Sequence, residues 1–283
     1  MSLYVKSGNN WSKVQNIYVK SGNIWNTTKT GYIRDANTWK PFFNRVRPTT
    51  WIITGGGGGS GQGGGGAAGW IGFNTFTPES MRSYAVTIGA AGNGGNVNGG
   101  NSVFNGFTAY GGGGGGTNQG WNGNDGASGG GGGQPNRGQG GAYGGAGTPG
   151  QGGDGGRGRD DGEYPYCAGS GGGYYGSPNQ ALGCGTGPGV GIELPSEIRS
   201  IPPFNANSAY YLSNGGEGWG QPGSGLPDSY GSGAHGGSGA GRGGVAIFYY
   251  SGTQIYSGGN YITYQASTDR TYHVFTSSGI LQT

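Results

Sequence analysis

Glycine at every third position is the feature that most restricts what this chain can become. Gly138, Gly141, Gly144, Gly147, Gly150, Gly153 and Gly156 form one such series, and Gly120, Gly123, Gly126, Gly129 and Gly132 a second. Polyglycine runs at 55–59, 63–66, 111–116 and 129–133 punctuate the same region. A period of three matches the left-handed polyproline-II conformation, which has no internal hydrogen bonds. Its N–H and C=O groups point sideways and must find partners, because buried backbone groups need satisfying. Where no side chain intervenes, backbones approach closely enough for N–H···O=C bonds and weak Cα–H···O contacts between helices. The spacing therefore predicts a bundle of glycine-rich polyproline-II (polyglycine II) helices within residues 50–250.

Composition supports a packing principle other than an oily core. Of 283 residues 77 are Gly, and Leu, Ile, Val and Phe together number only 39. So low a share joined to high net charge would indicate disorder. Here the formal charge is only +3, and Trp, Tyr and Phe still contribute 35 rings. Collagen is excluded by short, interrupted periodic runs and only 13 prolines. Against a flexible linker stand the apolar stretches Trp51-Ile52-Ile53, Tyr84–Ile88, Ser102-Val103-Phe104 and Val245–Tyr250, each of strand length and bounded by turn residues. They predict a short β-strand framework clamping the glycine helices at one end. Almost no α-helix is predicted, the best chance being one turn near Glu193–Arg199. The tail, 251–283, has low glycine and strand candidates at Tyr261–Tyr264, Tyr272–Thr276 and Ile280–Thr283. Its character matches the N-terminal segment, which suggests a short β tail packed beside that segment.

Residues 1–49 repeat with period 14. Residues 3–16 read LYVKSGNNWSKVQN, 17–30 read IYVKSGNIWNTTKT and 31–44 read GYIRDANTWKPFFN. Tyr4, Tyr18 and Tyr32 recur in step, as do Trp11, Trp25 and Trp39. Each unit reads as strand, tight turn, strand, giving a small all-β module of three hairpins. Hairpins of this size bury little alone and must pack on each other or on a partner. All five lysines lie in the first 40 residues, so residues 1–50 carry +7 while the remainder carries −4. That asymmetry points to two surfaces with different tasks. Three basic, aromatic hairpins suit docking on a threefold-symmetric partner.

Catalytic chemistry finds no foothold, which argues against an enzyme. His235 and His273 stand far apart in sequence, and no Cys or His cluster has metal-site spacing. No Lys follows Lys40, so a phosphate-binding loop is missing. Asp154, Asp160, Asp161 and Glu163 are interleaved with Arg157 and Arg159 and read as a self-paired solvated loop rather than a Ca²⁺ site. No cofactor and no metal are expected. Scattered arginines on a net acidic region speak against nucleic acid, and no run is long enough for membrane insertion. The start lacks the apolar core of a signal peptide, so a protein acting outside the cell is expected to leave within an assembly or by lysis. Cys167 and Cys184 are expected as unlinked thiols, with a local bridge fastening one loop as the alternative. What remains is aromatic residues beside Ser, Gly and Asn: Trp121 with Asn122, Tyr164 and Tyr166, Tyr174 and Tyr175, Tyr210 and Tyr211, Trp219 and Tyr230. Rigid aromatics among small polar residues are what loop-built binding surfaces use.

The segments Trp51-Ile52-Ile53-Thr54-GGGGG, Tyr84–Ile88 followed by Gly-Ala-Ala-Gly-Asn-Gly-Gly, Asn101–Tyr110 followed by six glycines, and GAGRGGVAIFYY at 239–250 carry a resemblance. Over residues 50–250 the chain resembles the receptor-recognising adhesins at the long-tail-fibre tips of T-even-type bacteriophages. The resemblance implies a layered sandwich of glycine helices whose loops contact a host outer-membrane protein or surface glycan. It implies that residues 1–49 cap the trimeric tail fibre shaft, with Tyr4, Trp11, Tyr18, Trp25, Tyr32 and Trp39 as attachment residues. Such a protein is made in the host cytoplasm and resides at the distal fibre tip of the virion. The 33-residue tail does not map onto the family. Two other classes compete: a fibre assembly factor or structural cap without receptor binding, and a free ice- or glycan-binding polyglycine-helix protein.

Overall fold

The structure, a computed structural model, describes residues 46–60, 64–117, 121–134, 141–159, 167–175, 188–206, 211–218, 229–237 and 239–283, together with strand backbone within residues 4–44. The 14-residue period is a hairpin period. β1 (Tyr4–Ser7) pairs antiparallel with β2 (Asn10–Lys13), and β3 (Tyr18–Ser21) with β4 (Ile24–Thr27), in the same register. β5 (Thr30–Asp35) and β6 (Thr38–Asn44) make the third hairpin, irregular between Gly31 and Tyr32.

Beyond Val46 two sheets face each other. β7 (Thr49–Thr54), β8 (Ile71–Phe76), β14 (Val245–Ser251), β15 (Tyr261–Gln265) and β16 (Arg270–Phe275) form a five-stranded antiparallel sheet in the order β15-β16-β14-β7-β8. β9 (Ser83–Thr87), β10 (Ser102–Phe104), β11 (Phe107–Ala109) and β17 (Gly279–Gln282) form the second, ordered β11-β10-β9-β17. Between the sheets Ala246, Phe248 and Tyr250 of β14 meet Tyr84, Val86, Phe104 and Leu281. The alternate residues Val245 and Ile247 point the other way, toward Leu194, Ile198, Ile201, Phe204 and Leu212. Burial on both faces is why β14 reads as an unbroken apolar run. Rings replace the missing aliphatics: Phe104 sits edge-on to Trp51, Phe76 and Phe248, with centroids 6.0, 5.2 and 4.6 Å away. The second face is covered by residues 192–206 and 211–212, which hold β12 (Ile192–Glu193), β13 (Tyr211–Leu212) and α1 (Ser196–Arg199), the one α-helical turn among the described residues. That turn falls inside the stretch the sequence singled out.

Strands pass directly into glycine runs. β7 continues into 55–60, β9 into 89–94, and β14 is the continuation of 239–244. These runs carry no ladder of their own; each donates laterally, and the partner changes with a period of three. Gly55 and Gly58 donate to the carbonyls of Trp70 and Ala67, Gly56 and Gly59 to those of Gly100 and Val97, and Gly57 and Ser60 to those of Arg242 and Gly239. Run 64–70 behaves likewise. Gly64, Ala67 and Trp70 donate to Gly116, Gly113 and Tyr110; Gly65 and Ala68 to Gly169 and Gly172; Gly66 and Gly69 to Ala234 and Gly231. Its carbonyls meanwhile accept from Gly58, Gly131 and Gly216, so run 64–70 has neighbours on every side. A Cβ at Gly56, Gly58, Gly64 or Gly65 would fall under 3.0 Å from a backbone carbonyl oxygen of a neighbouring run. The close approach that glycine permits is therefore used.

Three expectations need correction. The threefold glycine series does not run straight through its described part, Gly141–Gly156. Thr148-Pro149-Gly150-Gln151 turns, with Gly150 at φ +77 and Gln151 N–H donating to Thr148 O at 2.9 Å. Runs 141–148 and 152–159 thus return antiparallel, Gly155 bonding to Gly145 and Gly158 to Ala142. A proline without a donor beside a glycine free to take positive φ reverses the chain there. The tail, expected beside the N-terminal segment, is built into the two sheets instead: β16 pairs with β14 along its length and β17 with β9, so 251–283 completes both. Cys167 is disulfide-bonded and no described cysteine is free, which replaces the unlinked-thiol expectation. The chain's one other cysteine, Cys184, lies outside the described residues.

Candidate functional site

Strand and run directions give the described body two ends. At the sheet end, the segment arriving from residues 1–45 is clamped. Arg47 N–H donates to the Tyr256 hydroxyl at 2.7 Å, that hydroxyl donates back to Arg47 O at 3.1 Å, and the Arg47 guanidinium donates to Ser251 O. Burial pushes the Tyr256 hydroxyl above the ordinary tyrosine pKa, against the opposing hydrogen bond from Arg47. Tyr4, Trp11, Tyr18, Trp25, Tyr32 and Trp39 lie on the hairpin strands β1 to β6, one in each strand.

At the opposite end the runs terminate together. Ser60 and Gly94 both donate to Gly239 O, Gly64 to Gly116 O, Gly133 to Trp121 O, and Arg159 to Cys167 O. Residues 61–63, 118–120, 135–140 and 160–166 fall between runs whose described ends lie here, and 219–228 follows a run that ends here. Those residues, and with them Tyr164, Tyr166 and Trp219, lie outside the described set, as does Tyr210.

The candidate aromatics divide between the two ends. Trp121 belongs to the distal end and is 59 % exposed. Asn122 beside it accepts the Tyr143 N–H through Oδ1 at 2.9 Å, so its carbonyl belongs to the lattice. Tyr174 and Tyr230 instead pack against the sheet, the latter edge-on to Phe204 at 5.7 Å. Burial raises the pKa of both hydroxyls. Tyr175 meets Tyr174 edge-on at 5.0 Å but is itself 72 % exposed, and Tyr211 sits in β13 opposite Glu193.

Sequence reasoning missed two features. Side-chain carbonyls finish the lattice where a run has no outer neighbour. Asn98 and Asn101, three apart, accept from Gly114 and Gly111, and Asn122 and Asp125, also three apart, accept from Tyr143 and Ala146. The threefold spacing of Asn and Asp beside a glycine run was the available signal. The second feature is Tyr143, 61 % exposed, with the Arg157 guanidinium 4.6 Å above its ring.

The described residues hold no group of three or more His, Cys, Asp or Glu placed to bind a metal ion. Asp154 is used structurally, its Oδ1 accepting Gly147 N–H at 2.8 Å. His273 is buried in a closed network, Nδ1 bonded to Gly258 O and Nε2 to the Tyr250 hydroxyl. His235 lies 3.7 Å from Glu217 near the distal end. No described helix is long and apolar enough to cross a membrane. No family model, curated protein or solved structure matches the chain.

Proposed function

We propose that this chain is the receptor-binding tip of a bacteriophage tail fibre, acting by binding rather than catalysis. One observation carries the reading: the segment from residues 1–45 joins the body at the sheet end, while the glycine runs terminate at the other. A mount at one end and connecting segments on a stiff scaffold at the other is what a fibre cap with receptor contacts requires. The three-residue rotation of donors supports reading the runs as polyglycine-II helices layered on a β-sandwich, because such a helix turns its N–H groups through three directions. Residues 1–49 then dock on a homotrimeric shaft at the virion's distal fibre tip, one hairpin facing each shaft chain. Tandem repeats resolve the mismatch between one chain and a threefold partner. The receptor is a host outer-membrane protein or surface glycan, met by distal residues including Trp121 and Asn122.

The test is adsorption. Purified protein free of fibre should bind susceptible bacteria and block phage adsorption, and native mass measurement of the fibre tip should find one copy per shaft trimer. Fibre binding without any cell binding would favour a structural cap or assembly factor, and three copies per trimer would overturn the docking scheme.

A further inference from the structure

Trp121, Asn122, Tyr143 and Arg157 form a contiguous exposed strip on the distal edge of the bundle. Two bonds register it: Tyr143 N–H donates to Asn122 Oδ1, and Gly123 N–H donates to Tyr143 O, both at 2.9 Å. Arg157, one run further on, lays its guanidinium over the Tyr143 ring and bonds through Nε to Gly141 O at 3.3 Å. The strip is built, because its backbones are fixed by the lattice, yet the side-chain surface is open.

Its hydrogen-bonding balance is one-sided. The lattice takes the acceptor of Asn122 and leaves its amide N–H₂ outward, and one oxygen of the exposed Asp125 carboxylate, three residues along the run, is spent on Ala146 N–H. Among the described residues no partner takes the Asn122 amide N–H₂, the Trp121 indole N–H, the Tyr143 hydroxyl or the terminal nitrogens of Arg157. Arg157 makes no ion pair among the described residues. Two exposed rings offer flat apolar faces beside this array of donors. The ligand such a surface fits has a face of C–H groups to lie on a ring, several acceptors and a negative charge for the guanidinium fork. We infer that this strip is a binding site for an anionic sugar of a surface polysaccharide. This deepens the receptor-binding reading and rests on it.

A microbial glycan array carrying neutral, uronic-acid-bearing and phosphorylated polysaccharides tests the inference with the full-length protein. Binding is expected on acidic spots and absent on neutral ones. The uronic-acid and phosphorylated spots distinguish carboxylate from phosphate as the source of charge. Arg157→Gln and Trp121→Ala should each weaken that binding at least about tenfold, the worth of a charge-assisted contact or an aromatic anchor, with unchanged melting. Arg157→Lys should restore part of the loss. Equal binding to neutral and acidic spots, no binding to any spot, or full binding by both variants would overturn it. Wild-type protein that adsorbs to cells but ignores the array sinks the sugar site and leaves the adhesin reading standing. Failure to adsorb to any susceptible cell sinks the adhesin reading itself.

Discussion

Replacing Gly65 with Ala adds one carbon where two glycine runs touch backbone to backbone. The new Cβ would fall under 3.0 Å from the carbonyl oxygens of Gly216 and Glu217. Run 213–218 must retreat, which strains or breaks the Gly216 N–H bond to Gly66 O and the Gly171 N–H bond to Gly216 O, both 2.8 Å. Each buried backbone group left unpaired costs about 1–3 kcal/mol. The substitution also restricts the unfolded chain, returning roughly 0.4–1 kcal/mol. The larger effect wins, and the expected net loss is about 3 kcal/mol, or roughly 10 °C in Tm for a domain of this size. Scanning calorimetry reads it directly. Ala67, fully buried in the same run, is the control. Ala67→Gly removes a methyl that the lattice already admits and should cost only about 1 kcal/mol. A Gly65→Ala melt within 2–3 °C of the parent, or a cost no greater than that of Ala67→Gly, would refute close packing of the runs.

Asn101→Ala should destabilise by about 1 kcal/mol by orphaning Gly111 N–H, whereas Asn101→Asp, which keeps the acceptor, should melt near the parent temperature. Reducing the Cys167 disulfide, or replacing Cys167 with Ser, should cost about 3 kcal/mol if the bridge to Cys184 closes a loop of roughly 17 residues. Unchanged melting under reductant would deny the bridge a stabilising role. Burial raises the pKa of Tyr250 and Tyr256 above the ordinary tyrosine value of 10.0. Their folded state holds the proton more tightly, so this contribution is full below about pH 10 and is lost as pH rises through the folded values. Tm should fall progressively above pH 10, and tyrosinate absorbance should show Tyr250 and Tyr256, with the partly buried Tyr174 and Tyr230, ionising only late or on unfolding.

The strands were legible because each has an apolar pattern that glycine interrupts. Trp51-Ile52-Ile53 lies in β7, Ser102-Val103-Phe104 is β10, and Val245–Tyr250 fills most of β14. The three hairpins were legible because Tyr and Trp recur in fixed register. The placement of the tail was not. Tyr272 and Val274 alternate as any strand would, and nothing local says that β16 lies against β14. Neighbour identity among the runs was illegible for a deeper reason. Two glycine runs present the same backbone, so no side-chain complementarity records that 64–70 meets 110–116 rather than another. The strand pairings and turns at the run ends must fix that choice. Of the distal site, Trp121 and Asn122 were visible as an aromatic–amide pair, but Tyr143 and Arg157 join them only through lateral bonds among runs 121–127, 141–148 and 152–159.

Cohesion carried by backbone changes what the surface side chains are required to do. In an ordinary domain an exposed aromatic at the end of an element usually also covers the core beneath it. Here the groups beneath Trp121 and Tyr143 are N–H and C=O pairs already satisfied between runs: Gly133 to Trp121 O, Gly123 to Tyr143 O. Neither side chain is needed to keep water from an apolar interior, which the sheets enclose elsewhere around Phe104 and Phe248. Selection can therefore alter the distal residues with little effect on folding, while a single carbon added at Gly65 is expensive. A scaffold that separates the two demands so fully suits a surface whose partner varies, and the same separation lets loss of binding be distinguished from loss of fold in every distal variant.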